Sequence, residues 1–364
     1  MPITGTILGI ESSCDETSAA ILRDGKLESV VVSSQFFHEN FGGVVPELAS
    51  RAHVRSILLI VHEAFSQAGI TNADVTAIAV TYAPGLMGSL LVGLNFAKGL
   101  SLGLNIPLIG VHHIEAHIFS SLLEEEKPEL PFVTLVVSGG HTLLLLVRDV
   151  GKYEFLGETL DDAAGEAFDK VGKMLGLGYP AGPEVDRLSK EGNPNFIRFP
   201  RAMINEEHFD FSFSGIKTSV LYWLKKQAGV AVGFSPRSDV EEAHRGLKPT
   251  TTTALTDQVT RDIAASFQRA MVDVLVTKTL RAADAHGIRD IVCVGGVSAN
   301  SELRTRFRTE CERRSMRFFV PRPLFSTDNA AMIAMLGALK LDRGETSGLG
   351  LKALPRVPLA PRHT

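Results

Sequence analysis

Short apolar runs broken by turn residues open the chain. Residues 6–10 have the pattern of a buried strand, 11–17 of a polar turn, 18–22 of a second strand, Asp24-Gly25 of a tight turn and 27–33 of a third strand. Residues 132–160 repeat the plan, with a strand over 132–137, a turn at Ser138-Gly139-Gly140-His141-Thr142, strands over 143–147 and 153–156, and a turn at 149–151 between them. Turns of this chemistry join antiparallel neighbours, so each triplet is predicted to be a meander. Longer segments follow each one, including helices predicted over 47–68 and 161–177. Near the end of the chain a strand-like run at 317–320 and two prolines give way to an apolar helix over 330–341.

Two halves of β-β-β-α-β-α order, each opening with a polar first hairpin, describe the two-lobed α/β architecture of actin, Hsp70 and the sugar kinases (ASKHA), with duplicated mixed sheets. In that architecture the two hairpins pinch a nucleotide phosphate in the cleft between lobes. The expected division is 1–112 plus 328–364 for the N-terminal lobe, its last helix crossing back, and 113–327 for the C-terminal lobe. A chain of 364 residues also exceeds what one hydrophobic core usually supports. Residues 227–255, rich in Gly, Pro, Ser and Thr, are expected to form a variable surface insert.

Candidate chemistry centres on His113 and His117 in Val111-His112-His113-Ile114-Glu115-Ala116-His117. On a helix, spacing by four puts both imidazoles on one face, which is half of a metal site. At about 100° per residue Glu115 falls roughly 200° from either histidine and points away, so the general base of a zinc peptidase helix is missing. A metallopeptidase is disfavoured on that ground. A chance pair among eleven histidines is the competing account. A third ligand is available where the last helix begins: Ser326, Thr327 and Asp328 all suit its N-cap, only one is needed, and a carboxylate is left over. Two histidines and one carboxylate suit Fe(II), and Zn takes the same donors.

Glycine turns supply a second kind of candidate. In Val136-Val137-Ser138-Gly139-Gly140 the paired glycines follow a buried strand and free backbone N–H groups to approach an anion, although a Gly-Gly hairpin with no ligand explains them as well. Gly295-Gly296-Val297-Ser298-Ala299-Asn300 ends an apolar strand and starts a helix, so Asn300 either reads a base or ribose or simply caps the helix. The loop at 84–93 reads as close helix packing. Asp161, Asp162 and Asp169 crowd one predicted helix, and Asp186 follows the turn-rich loop containing Gly182. Asp169 and Asp186 suit ribose hydroxyls, with surface ion pairs as the alternative.

Composition narrows the field. With 45% hydrophobic and 21% charged residues and a net charge of −4, this is an ordinary globular chain without the basic footprint of a stand-alone nucleic-acid binder. The five arginines between Arg304 and Arg314 have RNA contact and a solvated helix as competing readings. Cys14, Cys293 and Cys311 form no paired framework, which suits a reducing cytosol. Cys14 is rejected as a nucleophile, because Asp15 and Glu16 beside it raise its pKa. No signal peptide and no apolar run of membrane-spanning length are expected, so the location expected is cytoplasmic, away from membranes.

The strings Gly9-Ile-Glu-Ser-Ser-Cys-Asp-Glu-Thr17, Gly42-Gly-Val-Val-Pro-Glu-Leu-Ala-Ser-Arg51, Val111-His-His-Ile-Glu-Ala-His117, Val137-Ser-Gly-Gly-His-Thr142, Asp161-Asp-Ala-Ala-Gly-Glu-Ala-Phe-Asp-Lys170, Asp210-Phe-Ser-Phe-Ser-Gly-Ile-Lys-Thr218 and Gly295-Gly-Val-Ser-Ala-Asn300 occur in order. Together they resemble the bacterial TsaD family, the tRNA N6-adenosine threonylcarbamoyltransferases. The resemblance implies one divalent metal ion per chain, described for the family as iron, on His113, His117 and Asp328. It implies adenylate contacts from Val136, Val137, Ser138, Gly139, Gly140, Asp169, Gly182, Asp186 and Asn300. The implied reaction moves a threonylcarbamoyl group from threonylcarbamoyl-AMP to N6 of the adenosine next to the anticodon, in tRNAs reading codons that begin with A. Asp15, Glu16 or the substrate phosphate would take the amine proton. Implied partners are tRNA, a TsaB-like paralogue and a TsaE-like ATPase. An ATPase or kinase of the same fold is the alternative.

Overall fold

A computed structural model describes residues 3–41, 43–227 and 256–359. The first meander forms as its turns predict: β1 (Thr6–Glu11), β2 (Glu16–Arg23) and β3 (Lys26–Ser34) pair antiparallel in sequence. After α1 (Pro46–Ala68), β4 (Ala77–Ala83) joins the free edge of β1 in parallel, and after α2 (Met87–Leu104), β5 (Leu108–His112) joins β4. The sheet order is β3-β2-β1-β4-β5.

The helix α3 (His113–Phe119) leads into the second lobe. There β6 (Phe132–Val137), β7 (Thr142–Asp149) and β8 (Lys152–Glu158) form the second meander, followed by α4 (Ala164–Met174), α5 (Gly182–Ser189), α6 (Ser214–Gln227) and α7 (Asp257–His286). Then come β9 (Asp290–Val294), α8 (Ser301–Arg313), β10 (Arg317–Phe319), the short α9 (Pro323–Ser326) and α10 (Ala330–Asp342). This sheet runs β8-β7-β6-β9-β10, with β6, β9 and β10 parallel, which is the order of the first sheet over again.

Apolar burial explains the layering. One core lies between the first sheet and α1 and α2, built from Leu8, Ile10, Ile60, Val80, Leu90 and Leu94. Another lies between the second sheet and the helices around α7. A third joins the two sheets through α3 and α10, uniting Ile7, Ala79 and Val111 with Val136, Leu145 and Val292. Both sheet faces next to α10 are apolar, which is why this helix carries almost no polar residue. It lies so close to β1 that a Cβ on Gly9 would stand 2.3 Å from the Ala330 carbonyl oxygen.

Two expectations change. The helix predicted from residue 161 begins at Ala164, because Asp161 and Asp162 are engaged by side chains farther along the chain: Ser212 and Ser214 Oγ donate to Asp161, and Lys170 and Lys217 to Asp162. The expectation that no apolar run reaches membrane-spanning length fails for α2, whose mean hydropathy of 1.3 over Met87–Leu104 meets that test by length and composition. Glycines and serines break the apolar run to the eye without making the helix polar; here Leu90, Leu94 and Ala97 pack on the first lobe. The predicted insert at 227–255 lies outside the described residues except for Gln227.

Candidate metal centre and the two hairpin turns

β5 ends at His112 and α3 starts at the next residue, so the histidine pair sits on the first turns of a helix wedged between the lobes. The rings of His113 and His117 meet edge to face with centroids 4.7 Å apart. Both present Nε2 to Asp328: Oδ1 is 3.4 Å from His113 and 3.0 Å from His117. One ligand atom from each of the three residues lies within 4.8 Å of the others. None of Ser326, Thr327 or Asp328 caps α10. That work falls to Asn329, whose Oδ1 accepts from Met332 N at 3.1 Å, and Asp328 stays free to face the histidines.

Glu115 leaves the helix on the opposite side. Tyr153 Oη donates to it at 2.6 Å and Lys340 Nζ lies 3.1 Å away. A different carboxylate reaches the cluster: fully buried Glu11, at the end of β1, has Oε2 3.0 Å from His113 Nδ1. Burial by itself would push His113 down, but Asp328 and Glu11 outweigh it and hold the imidazole well above its ordinary value of 6.5. The same attraction overcomes burial at Asp328 and keeps it well below 3.8. One buried and one partly exposed carboxylate facing two imidazoles form a site that favours a cation, and the donor set fits a divalent ion. His117 Nδ1 has no partner among the described residues.

The first hairpin turn is acidic and clamped. Leu86 N donates to Ser13 O at 2.8 Å, Ser12 Oγ donates to Ser89 O, and His53 bridges Cys14 O at 2.9 Å and Thr17 Oγ1 at 2.7 Å. The Glu16 carboxyl is pushed up to about 9 by burial, then by the Asp328 and Asp15 charges and a hydrogen bond with Asp15. The Cys14 thiol is raised far out of reach by burial and then by Asp15, which removes the thiolate.

The second hairpin turn carries no acid. Its Ser138 N–H is committed to His141 O at 2.8 Å and is therefore unavailable to a phosphate, contrary to the cradle implied above. Gly139 and Gly140 are exposed, and their N–H groups have no partner among the described residues. Gly165, at the start of α4, lets that helix pack under the turn, since a Cβ there would meet Ser138 O at 2.7 Å. His141 is pushed down to about 4, by burial first and then by His113 and His117, so it stays neutral. Val136 and Val137 have fully buried side chains within the sheet and can offer a ligand backbone only.

The remaining implied contacts flank α5. Asp169 accepts from Ala181 N at 2.8 Å, and burial raises its pKa. Gly182, the first residue of α5, has open space where a side chain would stand. Asp186 accepts from Ser301 N and Oγ at 3.1 and 2.8 Å. Asn300 acts as the cap of α8, accepting from Leu303 N at 3.0 Å and donating to Gln268 at 2.6 Å.

A family model described as TsaD, tRNA N6-adenosine threonylcarbamoyltransferase, matches residues 26–335. The chain belongs to the TsaD family. A relative of that description from Chlorobium luteolum is 49% identical over 367 residues, covering 98% of this chain and 97% of the relative. One from Syntrophus aciditrophicus is 46% identical over 355 residues and covers 97% of both chains. Among solved structures, component A of the (R)-2-hydroxyglutaryl-CoA dehydratase of Acidaminococcus fermentans aligns with a TM-score of 0.51 at 16% identity, over 92% of this chain and 97% of that one. HypF of T. kodakarensis aligns at 0.57 and 14% identity, over 94% of this chain and 48% of its own. These likenesses show the fold, and with the repeated sheet order they establish it as two-lobed and ASKHA-type.

For a TsaD chain the structure adds Glu11, Asn329 and His141 to the residues around the site. Four of the five arginines along helix α8 have partners in the chain, and Arg308 is exposed. Arg304 holds Ser298 O and Pro321 O, Arg306 meets Asp273, Arg313 meets Glu310 and Arg314 meets Asp284. Such pairing fits the solvated-helix reading of α8.

Proposed function

We propose that this TsaD chain transfers the threonylcarbamoyl group of threonylcarbamoyl-AMP to N6 of the adenosine beside the anticodon, in tRNAs reading codons that begin with A, with release of AMP. The observation that carries the reading is the meeting of His113 and His117, on the helix between two hairpin turns of opposite character, with Asp328 from the approach to the last helix. His113, His117 and Asp328 would hold a divalent ion, Fe(II) or Zn, whose chemistry is to polarise an oxygen and orient the donor. Gly139 and Gly140 N–H groups would receive the donor phosphate, while Asp169, Gly182, Asp186 and Asn300 frame the nucleoside side of the cleft.

The chemistry is acyl transfer from a mixed anhydride. N6 attacks the carbamoyl carbon, the bond to the phosphate oxygen breaks, and the amine proton must leave. AMP is already a good leaving group, so positioning and charge stabilisation make up most of the catalysis. Asp15, Glu16 and the departing phosphate are the candidate acceptors for that proton, with the Glu16 carboxyl pushed up to about 9 in the metal-free chain by burial and the Asp328 and Asp15 charges. The lobes are proposed to divide at 1–112 plus 328–364 and 113–327. On α1, Val54, Leu58 and Leu59 are all more than 60% exposed, a helical face that suits a TsaB-like paralogue; a TsaE-like ATPase completes the proposed set.

Incubation with threonylcarbamoyl-AMP, unmodified tRNA and these partners, followed by nucleoside mass spectrometry, tests the proposal. Modified adenosine and tRNA-dependent AMP are expected. ADP or phosphate released without RNA would make the chain an ATPase or kinase instead.

A further inference from the structure

The two lobes place different residues at the same point of the repeated fold. Val137 ends β6 and is apolar, as the end of a buried strand should be. Glu11 ends β1, equally buried, where a carboxylate costs free energy unless it is fully hydrogen-bonded. Its donors are all present. Thr81 Oγ1 donates to Oε2 at 2.6 Å, the Ser13 N–H donates to Oε1, and His113 Nδ1 stands 3.0 Å from Oε2. Ser13 Oγ, 3.2 Å from the same Nδ1, can serve as donor or acceptor and does not oppose this arrangement.

A carboxylate only accepts, so the His113 nitrogen facing it must carry a hydrogen. Nε2 is then the nitrogen left to bind a cation, and it is the one turned toward Asp328. His117 has no corresponding support at Nδ1. We infer that Glu11 is a positioning residue that locks the ring and tautomer of His113, so that Nε2 presents its lone pair to the metal. The inference rests on the proposed His113, His117 and Asp328 site. The second lobe ends the equivalent strand with a valine, so an acid is not required for a strand to end there, and of the three donors to Glu11 only the Ser13 N–H comes from its own turn.

The test titrates Co(II) into metal-free full-length chain and, in the metal-free samples at a pH above the raised His113 titration, records the imidazole nitrogens by 15N NMR with labelled histidine. In E11Q the amide can keep its oxygen on Ser13 N–H while its NH2 faces His113 Nδ1, which moves the ring hydrogen to Nε2. The expected result is a folded protein whose Co(II) dissociation constant rises 10- to 100-fold, the usual loss for removing such a partner, and whose His113 signal reports Nε2–H. T81V leaves the carboxylate in place and should shift affinity far less. If E11Q does not fold, E11D retracts the carboxylate from His113 and should show the same weakening. Wild-type Co(II) affinity with Nδ1–H retained in the folded variant overturns the inference. If wild type and H117A bind Co(II) alike, the metal triad itself falls, and the His113 tautomer in wild type against E11Q decides the role of Glu11 alone.

Discussion

The turn after β1 and the turn after β6 occupy equivalent places in the two sheets and have opposite chemistry. In the first, Glu11 pairs with Ser18 across the strands and the intervening loop carries Asp15 and Glu16. In the second, Val137 pairs with Thr142 around a loop of Ser138, Gly139, Gly140 and His141, with no charged carboxylate. The first is held from behind by α1 and α2 through His53 and Ser89, whereas the second rests on the N-terminus of α4 through Gly165. The scaffold is repeated, and the proposed division of labour lies in the loop residues: an acidic turn suited to a cation, and a glycine turn whose two N–H groups without a partner among the described residues suit an anion.

The sharpest way to break this division is at the histidines between the turns. His117→Ala removes one of three proposed ligands, so bound metal should fall to near zero in elemental analysis of the purified chain. Undiminished metal in a folded variant would dissolve the triad.

The two turns can then be set against each other. Gly139 has no positive φ and open space around it, so Gly139→Val should leave thermal stability nearly unchanged. Its side chain would nevertheless cover the free N–H groups, and AMP binding should weaken by about 2 kcal/mol, roughly 30-fold, the scale of a lost charge-assisted hydrogen bond. Asp15→Asn should leave AMP affinity equal or slightly improved. Calorimetric titration compares the two, and the reverse pattern would move the phosphate to the first turn.

A smaller effect is expected at Glu115, which faces away from both turns. Glu115→Gln should keep its metal and most of its transfer activity while losing about 1–2 kcal/mol of stability in urea, from the weakened bonds to Tyr153 and Lys340. Activity lost to the extent seen in His113→Ala, with metal retained, would make Glu115 a catalytic base.

The last difference is one of pH. Glu16 has a folded-state value of about 9 against an ordinary 4.5, so its contribution is full below 4.5 and is lost as pH rises toward 9. In metal-free protein, wild type should lose melting temperature relative to Glu16→Gln across that window, and added divalent metal should narrow the gap. Parallel curves would show that the carboxyl is not perturbed in the fold.

Contiguous features were legible in the chain. The two meanders, the alignment of His113 and His117 with Glu115 turned away, the surplus carboxylate at Asp328 and the glycine turn all follow from local periodicity and turn chemistry, which residues a few positions apart determine among themselves. Partners distant in sequence were not legible. Glu11 meets His113 and Thr81 only because β1 pairs with β4 and β5 delivers α3 to its end. That Asn300 caps a helix, and that Ser138 spends its N–H on His141, were decided by hydrogen bonds formed in the folded chain. The sequence by itself determined which elements form and which side chains share a face, because those depend on backbone geometry over a few residues. Tertiary structure alone decided which carboxylate faces His113 Nδ1 and which N–H groups stay free, because a buried polar group takes the partner that packing brings within about 3 Å.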